Sequence, residues 1–170
     1  MINLFLRPLR IFTQVLTGND SPRQTAWGFT LGMLVGLLPK GNVLVVALAM
    51  LLCALRVNRA AGLLAIGLFA YVGWALDPLA HRLGAIVLTW LPARPAFTWL
   101  YDQPLGPWLG FNNTLVMGQF LIGLYFMYPA YQLARAVAVR VQPRVHDWLM
   151  RRRALRWLRG AEVGTQWGLE

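Results

Sequence analysis

The stretch that decides the fold runs from residue 21 to residue 55 and reads SPRQTAWGFTLGMLVGLLPKGNVLVVALAMLLCAL. It contains two apolar runs, residues 25–38 and 42–55, which are separated by a Pro-Lys-Gly turn at residues 39–41. At 1.5 Å per residue, each run makes a helix of about 21 Å, which is shorter than the ~30 Å hydrocarbon core of a bilayer. The pattern therefore predicts a short helical hairpin that is either re-entrant or crosses the membrane.

The first arm of this hairpin carries signals for its start and for its packing. Ser21, Pro22 and Gln24 fit an N-cap, a first helical position and a capping box, so a helix is predicted to begin there. Small residues that let a second helix approach closely recur every four positions on one face: Gly28, Gly32 and Gly36. We expect the two arms to pack tightly on each other at the bend formed by Pro39 and Gly41. The glycine face also allows a contact between subunits.

The composition places the chain in a membrane. The 170 residues are 58% hydrophobic and 13% charged, with a mean hydropathy of +0.51, whereas a soluble domain is roughly 25% charged. A structural zinc site needs about four Cys or His ligands, and the chain has one Cys and two His. Motifs of metalloproteases, serine hydrolases and phosphate-binding loops are missing from the sequence. We therefore expect no catalytic constellation, no metal and no cofactor.

The remaining hydropathy pattern predicts an all-α membrane protein. A single membrane domain at residues 1–139 is followed by a basic cytoplasmic tail at 140–170. The predicted parts of the domain are an interfacial helix at 1–17, the Gly-rich hairpin at 21–55, a transmembrane helix at 60–76, a periplasmic segment at 77–113 and a second transmembrane helix at 114–134.

The basic residues set the predicted orientation. If the hairpin returns to the side from which it starts, thirteen of the sixteen Lys and Arg residues lie on the side of the termini. The positive-inside rule then places both termini in the cytoplasm. Anionic lipid head groups are expected to contact the arginines of the first helix and the tail: Arg7, Arg10, Arg151, Arg152, Arg153 and Arg156. The net charge is +10, but the sequence contains no nucleic-acid-binding motif, so nucleic acid is not a predicted partner.

A few polar residues at or near membrane depth are the candidate functional residues: Lys40, Asp77, His81, Asn112 and Asn113. Lys40 either has a function at the bend or reaches the opposite interface. Because Pro78 follows it, Asp77 is predicted to cap a second short helix over 79–91. The alternative is a proton-handling pair with His81, four residues further on. The two asparagines either cap the last transmembrane helix or join a polar cluster with Asp77 and His81.

Several landmarks together resemble a bacterial membrane-protein family, domain-of-unknown-function family 2062. Residues 21–39 read S-P-x3-A-x-G-F-x-L-G-x3-G-x2-P. A smaller full-length subfamily is similar over further marks, namely L-R-V-N at 55–58, L-D-P-L at 76–79 with His81 and Gly84, and F-N-N-T at 111–114. The resemblance implies a bacterial inner-membrane protein with no established activity. It also implies a partner, since genes of the subfamily tend to lie beside one for a second, larger envelope protein.

Three functions follow in order of preference. The first is a non-enzymatic integral inner-membrane subunit that anchors or gates a partner in a cell-envelope complex, with a role in lipid or envelope-component transport. The second is a small-solute or ion transporter that uses the broken helices of the hairpin. The third is a membrane enzyme that uses Asp77 and His81.

Overall fold

The computed structural model describes residues 20–151, with side chains as far as Gln142. All secondary structure in this range is helical, as predicted. The interfacial helix expected at 1–17, with Arg7 and Arg10, lies outside the described residues, as do Arg152, Arg153 and Arg156. The helices are α1 (Pro22–Leu37), α2 (Val43–Ala54), α3 (Arg59–Thr89), α4 (Arg94–Tyr101), α5 (Gly106–Leu109) and α6 (Thr114–Arg151), with a short 3-10 helix at Leu91–Ala93.

Side chains cap the first three helices at their starts. At α1, the Ser21 hydroxyl accepts from the Gln24 amide at 3.3 Å and the Gln24 side chain accepts from the Ser21 amide at 2.8 Å, which is the predicted capping box. Asn42 caps α2 by accepting from the Val45 amide at 2.9 Å. Asn58 caps α3 in the same way. These caps satisfy amide groups that an apolar medium leaves without partners.

Helices α1, α3 and α6 form the core of the molecule. α1 and α3 run parallel, because Gly28, Gly32 and Gly36 lie against successively later residues of α3. α6 runs antiparallel to α3, since Thr114 lies against Gly84 and the later Gly118 lies against Ala80. α2 returns the chain from the end of α1 to the start of α3.

The prediction that the two hairpin arms pack tightly on each other is wrong. The glycine face of α1 packs on α3, and α2 joins the core through a cluster around Val35, Leu38 and Val45. Much of the rest of α2 is exposed, including Val46 and Met50. The reason is steric: α3 offers its own glycine at position 62, so two backbones can meet there, whereas α2 has no glycine.

Pro78 does not end a helix. α3 continues through it to Thr89, so the predicted helix end at residue 76 and the separate helix over 79–91 are corrected to one helix of 31 residues. Proline removes one backbone donor from the helix. Beyond it, Ala80 and Gly84 pack closely against α6, and this contact holds the second half of α3 in line with the first. The segment that joins α3 to α6 therefore begins near residue 90, rather than at 77.

The last helix is also longer than predicted. α6 extends from Thr114 to Arg151, so it includes the predicted transmembrane segment 114–134 and the first part of the predicted tail. The boundary expected at residue 140 is therefore not a helix boundary. Arg151, which we expected to contact lipid head groups, is the last residue that the structure describes.

Within residues 20–151, α3 is the helix that is long and apolar enough to cross a membrane. Its 31 residues give a length of about 46 Å, which exceeds a hydrocarbon core of ~30 Å. α2 is apolar but has 12 residues, and α6 is long enough but not apolar enough. The second transmembrane helix stays a prediction.

Candidate functional site

A polar contact joins α3 and α6 in otherwise apolar surroundings. The Gln119 amide nitrogen donates to Asp77 Oδ1 at 2.6 Å and to the Gly73 carbonyl at 3.2 Å. Gln119 is 3% exposed, and its Oε1 atom has no hydrogen-bond partner among the described residues. Asp77 thus holds two helices together from the interior of α3, and its predicted role as an N-cap is wrong.

His81 makes a second contact between the same helices, one turn further along α3. Its Nδ1 atom and the Thr114 hydroxyl are 2.6 Å apart. Asp77 and His81 therefore bond to α6 at separate points, and among the described residues they share no hydrogen bond with each other. The Asp–His arrangement that an acid–base pair needs is not formed.

Lys40 caps the C-terminal end of α1. Its ammonium group donates to the carbonyls of Val35, Gly36 and Leu38 at 2.6, 3.1 and 3.1 Å. The ammonium group is partly buried in the turn. The carbonyls of Val35 and Gly36 are acceptors that α1 leaves unpaired at its end, and Leu38 is the residue that follows the helix, so Lys40 completes the hairpin bend.

The bend itself requires its glycine. Gly41 has a φ of 103°, a conformation that other residues rarely adopt. The Asn42 side chain closes the turn by donating to the Pro39 carbonyl at 3.0 Å while it caps α2. The break between the arms is therefore held by the side chains of the bend.

The two asparagines before α6 have different surroundings. Asn113 accepts from the Leu115 amide at 2.8 Å and so caps α6, one of the two roles considered for it. Asn112 is exposed and lines a cavity of about 300 Å³ together with Phe97, Tyr101 and Phe111. Among the described residues, neither asparagine is hydrogen-bonded to Asp77 or His81. The side chain beside His81 is that of Thr114, whereas the predicted cluster placed the two asparagines there.

The predicted packing glycines lie at a real helix contact. A Cβ atom added at Gly28 or Gly32 would overlap the carbonyl oxygen of Asn58 or Gly62, and one at Gly36 would lie 2.9 Å from that of Ile66. The contact is within one chain, which answers the question that the sequence left open.

An apolar groove opens beside the polar contact. It has a volume of about 830 Å³ and is formed by α3 and α6, with the end of α1 at its floor. Its α3 side is a row of large apolar side chains at helical spacing: Phe69, Val72, Leu76, Leu79, Leu83 and Val87. Tyr71 and Trp74, on another face of α3, are 79% and 78% exposed. Apolar side chains exposed to this extent indicate a surface that meets lipid or another protein.

Sequence reasoning missed Gln119 and Thr114. A signal for Gln119 was present, because it is the one amide side chain between Leu115 and Leu124 in a predicted transmembrane helix. Polar residues at membrane depth bond to other helices or mark a site. Thr114 belongs to the F-N-N-T mark, but nothing in the sequence placed it beside His81.

The described basic residues divide between the two ends of the bundle. Arg23, Arg56 and Arg59 lie where α1 and α3 start, and Gln142 of α6 reaches the same end, because its amide donates to the Thr25 hydroxyl at 2.9 Å. Arg82 and Arg94 lie towards the other end, in and after the second half of α3.

Comparison with known proteins gives one relative to describe. An uncharacterised protein of Treponema pallidum (strain Nichols) is 28% identical over 145 residues, which is 83% of this chain and 90% of that protein. No family model matches the chain. No solved structure matches it either.

Proposed function

We propose that the chain is a non-enzymatic integral subunit of a bacterial inner membrane that anchors or gates a partner protein in a cell-envelope complex. Both termini are cytoplasmic in this proposal, and α3 and the first part of α6 cross the membrane. The wider role of the complex is transport of lipid or of another envelope component. The anionic head groups of the bilayer contact the basic end of the bundle.

The apolar groove between α3 and α6 carries the proposal. Its row from Phe69 to Val87 repeats every three or four residues, which is the spacing that one helix presents to another. It extends over about 27 Å of helix, and its first part, from Phe69 to Leu76, lies within the predicted transmembrane segment 60–76. A helix of a partner protein that crosses the membrane and continues beyond it would fill such a surface along its whole length.

The hairpin bend favours an anchor over a transporter. Transporters that use broken helices leave helix ends free to bind the substrate. Here Lys40 occupies carbonyls at the end of α1, and Asn42 occupies an amide at the start of α2. The helix ends at the break between α1 and α2 are therefore hydrogen-bonded to side chains of the protein itself. An enzyme that uses Asp77 and His81 is the least supported alternative, because each of them bonds to a different residue of α6.

Site-specific photo-crosslinking in cells tests the proposal. A photoreactive phenylalanine analogue at Leu83, which lines the groove, should crosslink to one distinct envelope protein. The matched control is Leu63, which is 55% exposed near the other end of α3 and outside the groove. It should give no such adduct. Adducts with lipid alone at both positions would contradict a partner in the groove.

A further inference from the structure

Three exposed tryptophans lie in the segment that joins α3 to α6. Trp90 directly follows α3, Trp99 lies on α4 and Trp108 lies on α5, and they are 63%, 66% and 69% exposed. Leu91 and Leu105 in the same segment are exposed to a similar extent. Large apolar side chains exposed in this number indicate a surface that is covered by lipid or by another molecule.

The same segment carries little charge. Between residues 90 and 113 the charged side chains are Arg94 and Asp102, which sum to zero. In a soluble domain, roughly a quarter of the residues are charged. The segment is therefore suited to a neutral partner with apolar parts, in contrast to the basic residues at the other end of the bundle.

The segment folds back against the end of the bundle that holds the hairpin bend. Phe97 of α4 lines one cavity together with Leu88 of α3 and Phe111, which precedes α6. A Cβ atom added at Gly110, directly after α5, would lie 3.5 Å from the Cβ atom of Asn42 in the bend. α4 and α5 are thus held at this end of the bundle from two sides.

This end borders a band of the bundle that has no charge. Charged side chains are missing from three helical ranges: residues 41–55, 60–76 and 114–134. Leu68, within this band, is 56% exposed, as is Val46 of α2. Towards the tryptophans, charge begins again at Lys40 of the bend and at Asp77 and the exposed Arg82 of α3. The tryptophans therefore lie beyond the charge-free band, on the side of the bend.

The length of α3 places the tryptophans at the same boundary, and this step rests on the membrane crossing in the proposed function. α3 is about 46 Å long, and a bilayer with its head-group layers is about 40–45 Å thick. With Arg59 in the cytoplasmic head-group layer, Trp90 reaches the head-group layer of the outer leaflet. Tryptophan is enriched in this layer, because its ring is apolar and its indole N–H can bond to water or to head groups.

α4 has the separate faces that a helix in this layer needs. Ala96 and Trp99, three residues apart, share one exposed face. Arg94 and Thr98, four residues apart, share a second exposed face, and the Thr98 hydroxyl donates to the Arg94 carbonyl at 2.9 Å. Phe97 is half-buried on the side of the cavity. One exposed face of α4 is thus apolar and another is polar, as in helices that lie in the plane of a membrane surface.

We propose that residues 90–109 form an outer anchor, which lies in the head-group layer of the outer leaflet with Trp90, Trp99 and Trp108 in contact with lipid. The anchor contacts lipid through aromatic and aliphatic side chains, so it needs no anionic head group. It fixes the depth of the adjoining ends of α3 and α6, between which the apolar groove lies.

Spin labelling of the full-length protein in phosphatidylcholine vesicles tests the anchor. In a Cys53→Ser background, a nitroxide label is attached to a single cysteine in Leu68→Cys, Ala96→Cys or Thr98→Cys. Power saturation compares collisions of the label with O₂, which concentrates in lipid, and with a neutral nickel chelate, which stays in water. The ratio of O₂ to nickel collisions should be highest at position 68, intermediate at position 96 and lowest at position 98.

Two results at position 96 would overturn the anchor. A ratio as low as that at position 98 would place the apolar face of α4 in water. Few collisions with either reagent would show that protein, such as a second copy of the chain, covers this face. A high ratio at position 68 would in both cases uphold the membrane crossing of α3. A low ratio at position 68 would instead overturn the crossing, and the anchor with it.

A variant with Trp90→Gln, Trp99→Gln and Trp108→Gln tests the tryptophans themselves. It should lower the ratio at position 96 and leave that at position 68 unchanged. The matched control is Trp74→Gln, which removes a tryptophan that is 78% exposed on α3 and should leave position 96 unchanged.

An unchanged ratio at position 96 in the triple variant would overturn the role of the tryptophans. Adding phosphatidylglycerol to the vesicles should have no effect, and a ratio at position 96 that rises only with this anionic lipid would contradict a neutral anchor. If the triple variant does not fold, the three labelled positions without it still decide.

Discussion

Gly32 of α1 and Gly62 of α3 face each other with no side chain between their backbones. A Cβ atom on Gly32 would overlap the Gly62 carbonyl oxygen. Gly28 lies in the same way against the start of α3 at Asn58, and Gly36 against a later turn at Ile66. Helices that cannot gain stability from excluding water in lipid depend on close contacts of this kind. The parallel pair of α1 and α3 is the basis on which α6 packs.

Replacing Gly32 by alanine is therefore expected to destabilise the bundle. The added methyl group forces the two backbones apart, which costs about 1–3 kcal/mol in an overpacked site. The measurement is the Tm of the purified variant in detergent, together with the fraction that elutes as a single species.

Gly67 provides the matched control for this prediction. It lies in α3, and a Cβ atom added there meets nothing within 4 Å. Gly67→Ala should keep or raise the Tm, since alanine favours a helix by up to about 1 kcal/mol over glycine. Loss of stability in Gly67→Ala with none in Gly32→Ala would be incompatible with the packing described.

Lys40→Met should destabilise the hairpin without abolishing the partner crosslink from Leu83. The methionine removes the ammonium group that donates to the carbonyls of Val35, Gly36 and Leu38. Hydrogen bonds to charged groups contribute about 1.5–3 kcal/mol each when they replace contacts with water. The expected result is a lower Tm, with Lys40→Arg closer to wild type. A transport activity that vanished in Lys40→Met, at an unchanged Tm, would instead favour a transporter.

Variants of Asn42 should form a graded series. Asn42→Ala loses both the cap of α2 and the bond to the Pro39 carbonyl, whereas Asn42→Asp loses only the second. Removing an N-cap costs about 0.5–2 kcal/mol. In chemical denaturation, wild type should have the highest midpoint, Asn42→Asp an intermediate one and Asn42→Ala the lowest. Equal midpoints for the aspartate and alanine variants would show that the cap has no effect.

Local signals in the sequence predicted the local structure. The Ser21 capping box and the break at residues 39–41 each depend on a few neighbouring residues, and both are present. The partner of the glycine face depends on residues thirty positions away, and nothing local distinguishes α2 from α3 as that partner. The continuation of α3 through Pro78 depends in the same way on contacts with α6.

The sequence predicted two residues of the candidate site but not their partners, because the partners are distant in the sequence. Asp77 and His81 stand out because charged or titratable residues are rare in an apolar stretch, so they could be selected by type. Their partners, Gln119 and Thr114, lie 42 and 33 residues away and follow from the antiparallel packing of α6 on α3. Sequence spacing favoured a pair within α3, whereas tertiary packing directs each side chain to α6.

The orientation of α3 in the membrane is the claim on which the account depends, and cysteine labelling tests it directly. In a Cys53→Ser background, single cysteines replace Leu55, before α3, and Thr98, after it, both of which are exposed. A membrane-impermeant maleimide added to spheroplasts should label Thr98→Cys at once and Leu55→Cys only after the membrane is disrupted. Equal labelling of both cysteines in intact spheroplasts, or labelling of Leu55→Cys alone, would contradict an α3 that crosses the membrane from the cytoplasm.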